Sequence, residues 1–231
     1  MSTFVMSDKY ISFADEIQKL GHTVIASDTV NIFPLPEQKH ADMQILHIND
    51  KIFILNECTE LAKKIPINKL VFCKQKAGKK YPENILLNFL YLNGTLYGKL
   101  SAIDKNLSVY CVENNINTVN VNQGYTRCST LVVNENAVIT SDSSIEKALT
   151  ENGVEVLSVS SGNIVLDGYN YGFIGGAGGN LDDNTIVFFG NIKNHPDYYH
   201  ILNFCQKHNK KIISLCNQMP LTDIGGIVKI S

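Results

Sequence analysis

The sequence has no tryptophan, no closely spaced pair of cysteines and no apolar run long enough to cross a bilayer. Each absence narrows what the chain can be. Its six cysteines, Cys58, Cys73, Cys111, Cys128, Cys205 and Cys216, are scattered singly, with no CxxC and no Cys/His spacing that reads as a zinc site. They read as free thiols, at least five of them packed as small apolar groups, and neither a metal nor a cofactor is expected. Net charge is low as well. Twenty Lys and Arg against 22 Asp and Glu leave a formal charge of −2, so no overall field draws the chain to DNA or to an anionic membrane. The N-terminus, MSTFVMSDKYISFADEIQKLG, lacks the basic start and apolar centre of a signal peptide. A cytoplasmic location is the expectation.

What is present is a repeat. SDKYISFADEIQKLGHTVIAS (Ser7 to Ser27) and SDSSIEKALTENGVEVLSVS (Ser141 to Ser160) share one plan. Each opens with Ser-Asp, whose oxygens can accept from the free N–H groups of a first helical turn. Each continues with apolar residues at helical spacing: Phe13, Ile17 and Leu20, or Ile145, Ala148 and Leu149. A glycine suited to a left-handed helix end follows, Gly21 or Gly153, and then a β-branched run.

The part before the helix recurs too. CSTLVVNENAVITSD, DMQILHINDKIFILNE, NILLNFLYLNGTLYGK and GFIGGAGGNLDDNTIVFFGN all read as strand, polar turn, strand. Helical patterns follow at Leu61 and Ile65, at Ile103, Leu107 and Cys111, and at Tyr198, Leu202 and Cys205. The fifth copy is split: DIGGIVKI at the C-terminus supplies its first strand, and TFVMS with the first helix supplies the rest. Copies recur at roughly forty to fifty residues, the range of repeat arrays and propellers. The spacing predicts one α/β domain over residues 1–231, five ββαβ units around a pseudo-fivefold axis, with one unit shared between the termini. Joining the ends closes a ring and removes the need for polar caps.

This layout resembles the pentein fold, an α/β propeller shared by enzymes that modify guanidino groups and by the non-catalytic ribosome anti-association initiation factors. The resemblance implies a site where the first strands of the units converge. In this chain those segments are KHADM (Lys39 to Met43), PEN (Pro82 to Asn84), TRCS (Thr126 to Ser129), GGAGG (Gly175 to Gly179) and LTDIGG (Leu221 to Gly226), with Asp28, Asn122, Gln123 and Asn217 in connecting loops. HAD, His40 to Asp42, looks like the His-x-Asp/Glu motif of these enzymes. RCS, Arg127 to Ser129, looks like the segment that carries their nucleophilic cysteine, and DIGG looks like their acidic-glycine segment. The enzymes carry that cysteine in the last unit, whereas LTDIGGIVKIS has none. Counted around the ring, Asp223, His40 with Asp42, and Cys128 keep the cyclic order of the deiminases.

The resemblance therefore implies Cys128 as nucleophile, His40 as acid/base and Asp42 on a guanidinium, with Asp223, Arg127, Asp28, Asn122, Gln123, Gly175 and Gly176 around a small guanidino or amidino substrate. Attack on a carbon flanked by delocalised nitrogens needs a thiolate, favoured here by a nearby positive charge such as Arg127. The plainer alternatives are a buried strand thiol for Cys128, a loop histidine for His40, and turn or cap residues for Asp42 and Asp223. The basic loop KQKAGKK reads as a solvated linker, and GGAGG as a place where backbones crowd. A non-catalytic ring that binds a ligand or macromolecule is the competing function. Nothing in the sequence fixes an oligomeric state.

Overall fold

A computed structural model describes residues 1–231. The chain opens with β1 (Thr3–Met6), α1 (Ile11–Lys19) and β2 (Thr23–Ala26), and the helical crossover makes β1 and β2 parallel. One edge of β1 is left without a partner from this end of the chain. The second unit follows a one-turn helix, α2 (Ala41–Gln44), and comprises β3 (Ile45–Ile48), β4 (Lys51–Ile54), α3 (Thr59–Ala62) and β5 (Leu70–Phe72). The third is β6 (Leu90–Leu92), β7 (Thr95–Gly98), α4 (Lys105–Glu113) and β8 (Asn117–Asn120). The fourth is β9 (Thr130–Asn134), β10 (Ala137–Thr140), α5 (Ser143–Glu151) and β11 (Glu155–Ser158). The fifth is β12 (Gly178–Asp182), β13 (Thr185–Asn191), α6 (Tyr198–Lys207) and β14 (Lys211–Pro220). In each, the first strand is antiparallel to the second and the second is parallel to the third.

β15 (Ile227–Lys229) then returns to the open edge of β1, antiparallel, with Phe4 opposite Lys229 and Met6 opposite Ile227. The result is five three-stranded sheets, one built from both ends of the chain. Middle strands such as β10 are buried throughout, while third strands such as β2, β8 and β11 are partly exposed. Each sheet thus runs outward from the axis as a blade.

Local chemistry accounts for most boundaries. Gly21, Asn115, Gly153 and Asn209 follow four of the helices in the left-handed region (φ 89°, 54°, 79° and 58°), where only glycine and asparagine sit at little cost. Asp142 caps α5 by accepting from the N–H groups of Ser144 and Ile145. The matching Ser7-Asp8 does not cap α1, which starts only at Ile11 with no side-chain cap. The helix expected over Leu61 and Ile65 is the single turn α3, because Pro66 disfavours helical backbone at Ile65.

Around the axis the units are tied by a closed circuit of hydrogen bonds. Asp42 N–H donates to Gly225 O (3.2 Å), Ile224 N–H to Gly176 O (3.0 Å), and Gly176 N–H to Cys128 O (3.0 Å). The N–H groups of Arg127 and Cys128 donate to Asn88 Oδ1 (2.9 and 3.3 Å), and Asn88 Nδ2 returns to Asp42 O (3.2 Å). Every unit contributes, so the ring is closed at the level of the site.

Candidate active site

His40, Asp42, Arg127, Cys128, Gly175, Gly176 and Asp223 sit just before the inner strands. All of these but Asp223 lie on single helical turns, closed by Met43 N–H to His40 O (3.2 Å), Ser129 N–H to Tyr125 O (2.9 Å) and Ala177 N–H to Phe173 O (3.1 Å). Cys128 therefore belongs to a turn that precedes β9. A cavity of about 280 Å³ opens at this end of the ring, lined by Glu37, His40, Tyr125, Cys128, Tyr169 and Asp223 among others. Tyr125 and Phe173 in its wall stack at 6.1 Å, and Tyr81, outside the cavity, continues the ladder by stacking on Tyr125 at 6.1 Å. No lysine or arginine lines it.

Cys128 is 3% exposed, and Asn88 Nδ2 donates to its Sγ at 2.9 Å. Burial, with the carboxylates of Asp42 and Asp223 nearby, pushes the thiol well above its ordinary range, while the Asn88 bond works against that rise. Asp42 does not itself line the cavity. It is 1% exposed beside Cys128, His40 and Asp223, and neither carboxylate oxygen has a hydrogen-bond partner. Desolvation raises its carboxyl to about 6, partly opposed by the neighbouring His40 and Arg127 side chains. Asp223 is held from behind, accepting from the N–H groups of Phe173 (2.8 Å) and Gly225 (2.9 Å). His40 Nδ1 lies 3.9 Å from Asp223 Oδ1. A buried thiol, a histidine and two carboxylates thus meet at this end of the ring, with no lysine or arginine lining the cavity.

Two residues of this site escaped the sequence reading. Glu37, on a 3-10 turn in a stretch that reads as polar loop, is buried; its carboxylate accepts from Tyr169 Oη and lies 3.5 Å from Asn84 Nδ2. Nothing local marks it, since Tyr169 is distant in sequence. Asn88, four residues past the expected PEN segment, left a trace: it is the one polar side chain in the run ILLNFL.

Several expected ligand-binding residues sit elsewhere. The side chain of Arg127 turns away from the Cys128 cavity; its Nη1 donates to Thr130 O (3.1 Å) and it lines a separate cavity along the axis. Asp28 caps α3, accepting from the N–H groups of Glu60 (2.9 Å) and Leu61 (3.1 Å). Gln123 donates to Asp142 (3.0 Å), the cap of α5, and Asn122 is exposed beside that helix. These loops recur at one place in each unit, and their work is to join it to the helix of the next. Gln75 accepts from Lys105 N–H (2.9 Å) and Ser160 N–H donates to Asp197 (2.6 Å) in the same way.

Gly175 and Gly176 do not line the cavity either. A Cβ on Gly175 would fall 2.4 to 2.6 Å from the carbonyl oxygens of Thr130, Arg127 and Cys128, and one on Gly176 would fall 1.9 Å from Asp223 Oδ1. Their glycines let two neighbouring segments approach, which shapes the site from behind.

A sequence profile, the family of unknown function DUF6873, matches residues 4–228. The chain belongs to the DUF6873 family. Among curated proteins, none matches its sequence. In structure, this DUF6873 protein is similar to an amidinotransferase of the saxitoxin pathway from Microseira wollei, at 8% identity and a TM-score of 0.60, over 93% of this chain and 88% of that one. It is similar to dimethylarginine dimethylaminohydrolase from Pseudomonas aeruginosa, solved with citrulline (8%, TM-score 0.54, 94% and 92% covered). It is also similar to agmatine deiminase from C. jejuni (8%, TM-score 0.54, 99% and 92% covered). The architecture is the pentein α/β propeller, and these neighbours are guanidino-modifying hydrolases and transferases.

Proposed function

We propose that this DUF6873 protein is a cysteine-dependent enzyme acting at the carbon of a guanidinium or amidinium cation. The observation that carries the reading is the buried, unpartnered carboxylate of Asp42 beside the Cys128 thiol, with His40 and Asp223 completing the group. The substrate class follows from the lining. Glu37 and Asp223 offer carboxylates, Asp42 stands just behind, and no cationic side chain is there to hold a carboxylate. The substrate is therefore a guanidine or amidine whose tail is neutral or cationic, seated against the aromatic ladder.

In the free protein the thiol is protonated. An incoming cation offsets the two carboxylates that hold the proton, and His40 takes it. The Cys128 thiolate, with Asn88 donating to it, then forms an S–C bond to the guanidinium carbon. The C–N bond to the leaving amine breaks as His40 returns the proton to that nitrogen. His40 next removes a proton from water, the oxygen adds to the same carbon, and the S–C bond breaks to release a urea product. His40 finally reprotonates the sulfur. A second amine in place of water would make the reaction a transfer.

The test is thiol mapping by mass spectrometry with limiting iodoacetamide and, separately, a haloacetamidine. Preferential alkylation of Cys128 by the amidine, slowed by agmatine more than by arginine, is the expected result. The two competitors differ by one carboxylate. Should Cys128 ignore both reagents until the protein unfolds, it is a structural thiol and the ring a binding protein only.

A further inference from the structure

The second cavity bears on a different ligand. It holds about 230 Å³ and is walled by all five inner strands, with Ile45, Leu90, Val132 and Ile227 making much of the wall apolar. Its charged groups are all of one kind. Arg127, the only arginine in the sequence, and Lys229 both line it, and no carboxylate does. Neither residue is in an ion pair. The guanidinium makes one hydrogen bond to protein, to Thr130 O, although it carries five N–H donors. His47 adds an imidazole whose Nδ1 is engaged by Lys229 O (2.8 Å); a carbonyl only accepts, so Nδ1 carries the proton and Nε2 is the atom left over. Asp42 acts on Arg127 electrostatically, but it does not line this cavity and makes no ion pair with Arg127.

A half-buried guanidinium with unused donors, in a concave space that no carboxylate lines, attracts an anion more strongly than the same group on an open surface. We propose that the axial cavity is a second binding site, taking a small oxyanion, carboxylate or phosphate, on Arg127 with Lys229 beside it. The planar fork of Arg127 suits two oxygens of one anion, and the volume fits a compact ligand, below the ~300 Å³ at which drug-sized pockets begin. The proposal does not rest on the chemistry at Cys128, because the two cavities share no lining residue.

The experiment is titration of the whole protein, in a buffer free of oxyanions, with inorganic phosphate and separately with malonate, followed by calorimetry and by the shift in unfolding temperature. Saturable binding of at least one anion at millimolar concentration or tighter is expected, with the better of the two naming the source chemistry. Arg127→Met should weaken it by about tenfold or more, Lys229→Met by several-fold, and Cys128→Ser by nothing. Lys229 is exposed at a strand end, so its variant remains informative if Arg127→Met does not fold. The proposal is overturned if neither anion saturates up to tens of millimolar, or if Lys229→Met and a folded Arg127→Met bind as tightly as the parent. It is also overturned if Cys128→Ser abolishes binding, which would put the anion in the other cavity.

Discussion

Replacing Asp42 by asparagine should stabilise the free protein above neutral pH, although it removes a group from the heart of the site. A carboxyl moved from an ordinary 3.8 to about 6 is harder to ionise in the fold than in water by about 3 kcal/mol, at ~1.4 kcal/mol for each tenfold change. The side chain is 1% exposed and unpartnered, so solvent screens little of this. The sign follows from proton binding. Between about pH 4 and 6 the folded chain holds a proton that the unfolded chain has released, so stability contributed by this group is complete below the ordinary carboxyl range and is lost as pH rises through about 6. Asparagine has nearly the same shape and never ionises. Urea unfolding of parent and Asp42→Asn should give nearly equal stabilities near pH 3 and a variant more stable by about 3 kcal/mol near pH 7.5. In thermal unfolding a chain of this length would gain about 6–12 °C. A variant less stable than the parent at pH 7.5, or a difference that does not change with pH, would mean that the carboxylate already has a partner in the free protein. The site would then not be waiting for a cation.

Other substitutions separate the site from the seams around it. Asp28→Ala should cost about 1 kcal/mol through the lost cap on α3, yet leave the alkylation rate of Cys128 unchanged; a changed rate would return Asp28 to the site. Gly176→Ala should destabilise by about 1–3 kcal/mol, because its methyl meets the Asp223 carboxylate that two backbone N–H groups hold in place. It should also abolish the preference of Cys128 for an amidine reagent, read by mass spectrometry. Asn88→Ala breaks the axial circuit at three of its bonds and should cost at least ~2 kcal/mol in urea unfolding, since the buried groups it leaves find no replacement.

The ring was legible in the sequence because each unit announces itself locally. Helical spacing, a left-handed residue such as Gly21 or Gly153 and a β-branched third strand need no distant contact to be recognised, and the split copy followed by elimination. The site was legible only where a short motif happened to face the axis. His40, Cys128 and Asp223 share one cavity, but Arg127, next to Cys128, does not reach it. The two residues lie on one helical turn, where neighbours project about 100° apart, and no spacing rule says which of them faces the thiol side. Asp28 and Gln123 illustrate a second limit. A polar residue after a strand reads equally as ligand-binding or as joining, and only the neighbouring helix that it caps distinguishes them.

The same carboxylates that invite a cation also keep the thiol protonated, which leads to a prediction with two opposite signs. Burial raises the Cys128 thiol most, and the nearby charge of Asp42 raises it further. Taking that charge away in Asp42→Asn should lower the thiol, enlarge the thiolate fraction at neutral pH and speed reaction with iodoacetamide, a neutral reagent that needs nothing but the sulfur. A haloacetamidine needs the sulfur and a place for its positive charge, so the same variant should react with it more slowly than the parent does. Rates measured side by side at pH 7.5 therefore move apart if the incoming cation triggers the thiol. If both rise together, Asp42 merely suppresses a buried thiol and guides no substrate. If both fall, the carboxylate serves as the base for Cys128, and activation precedes cation binding. Only the divergence is consistent with a nucleophile that stays neutral until its substrate neutralises the carboxylates around it.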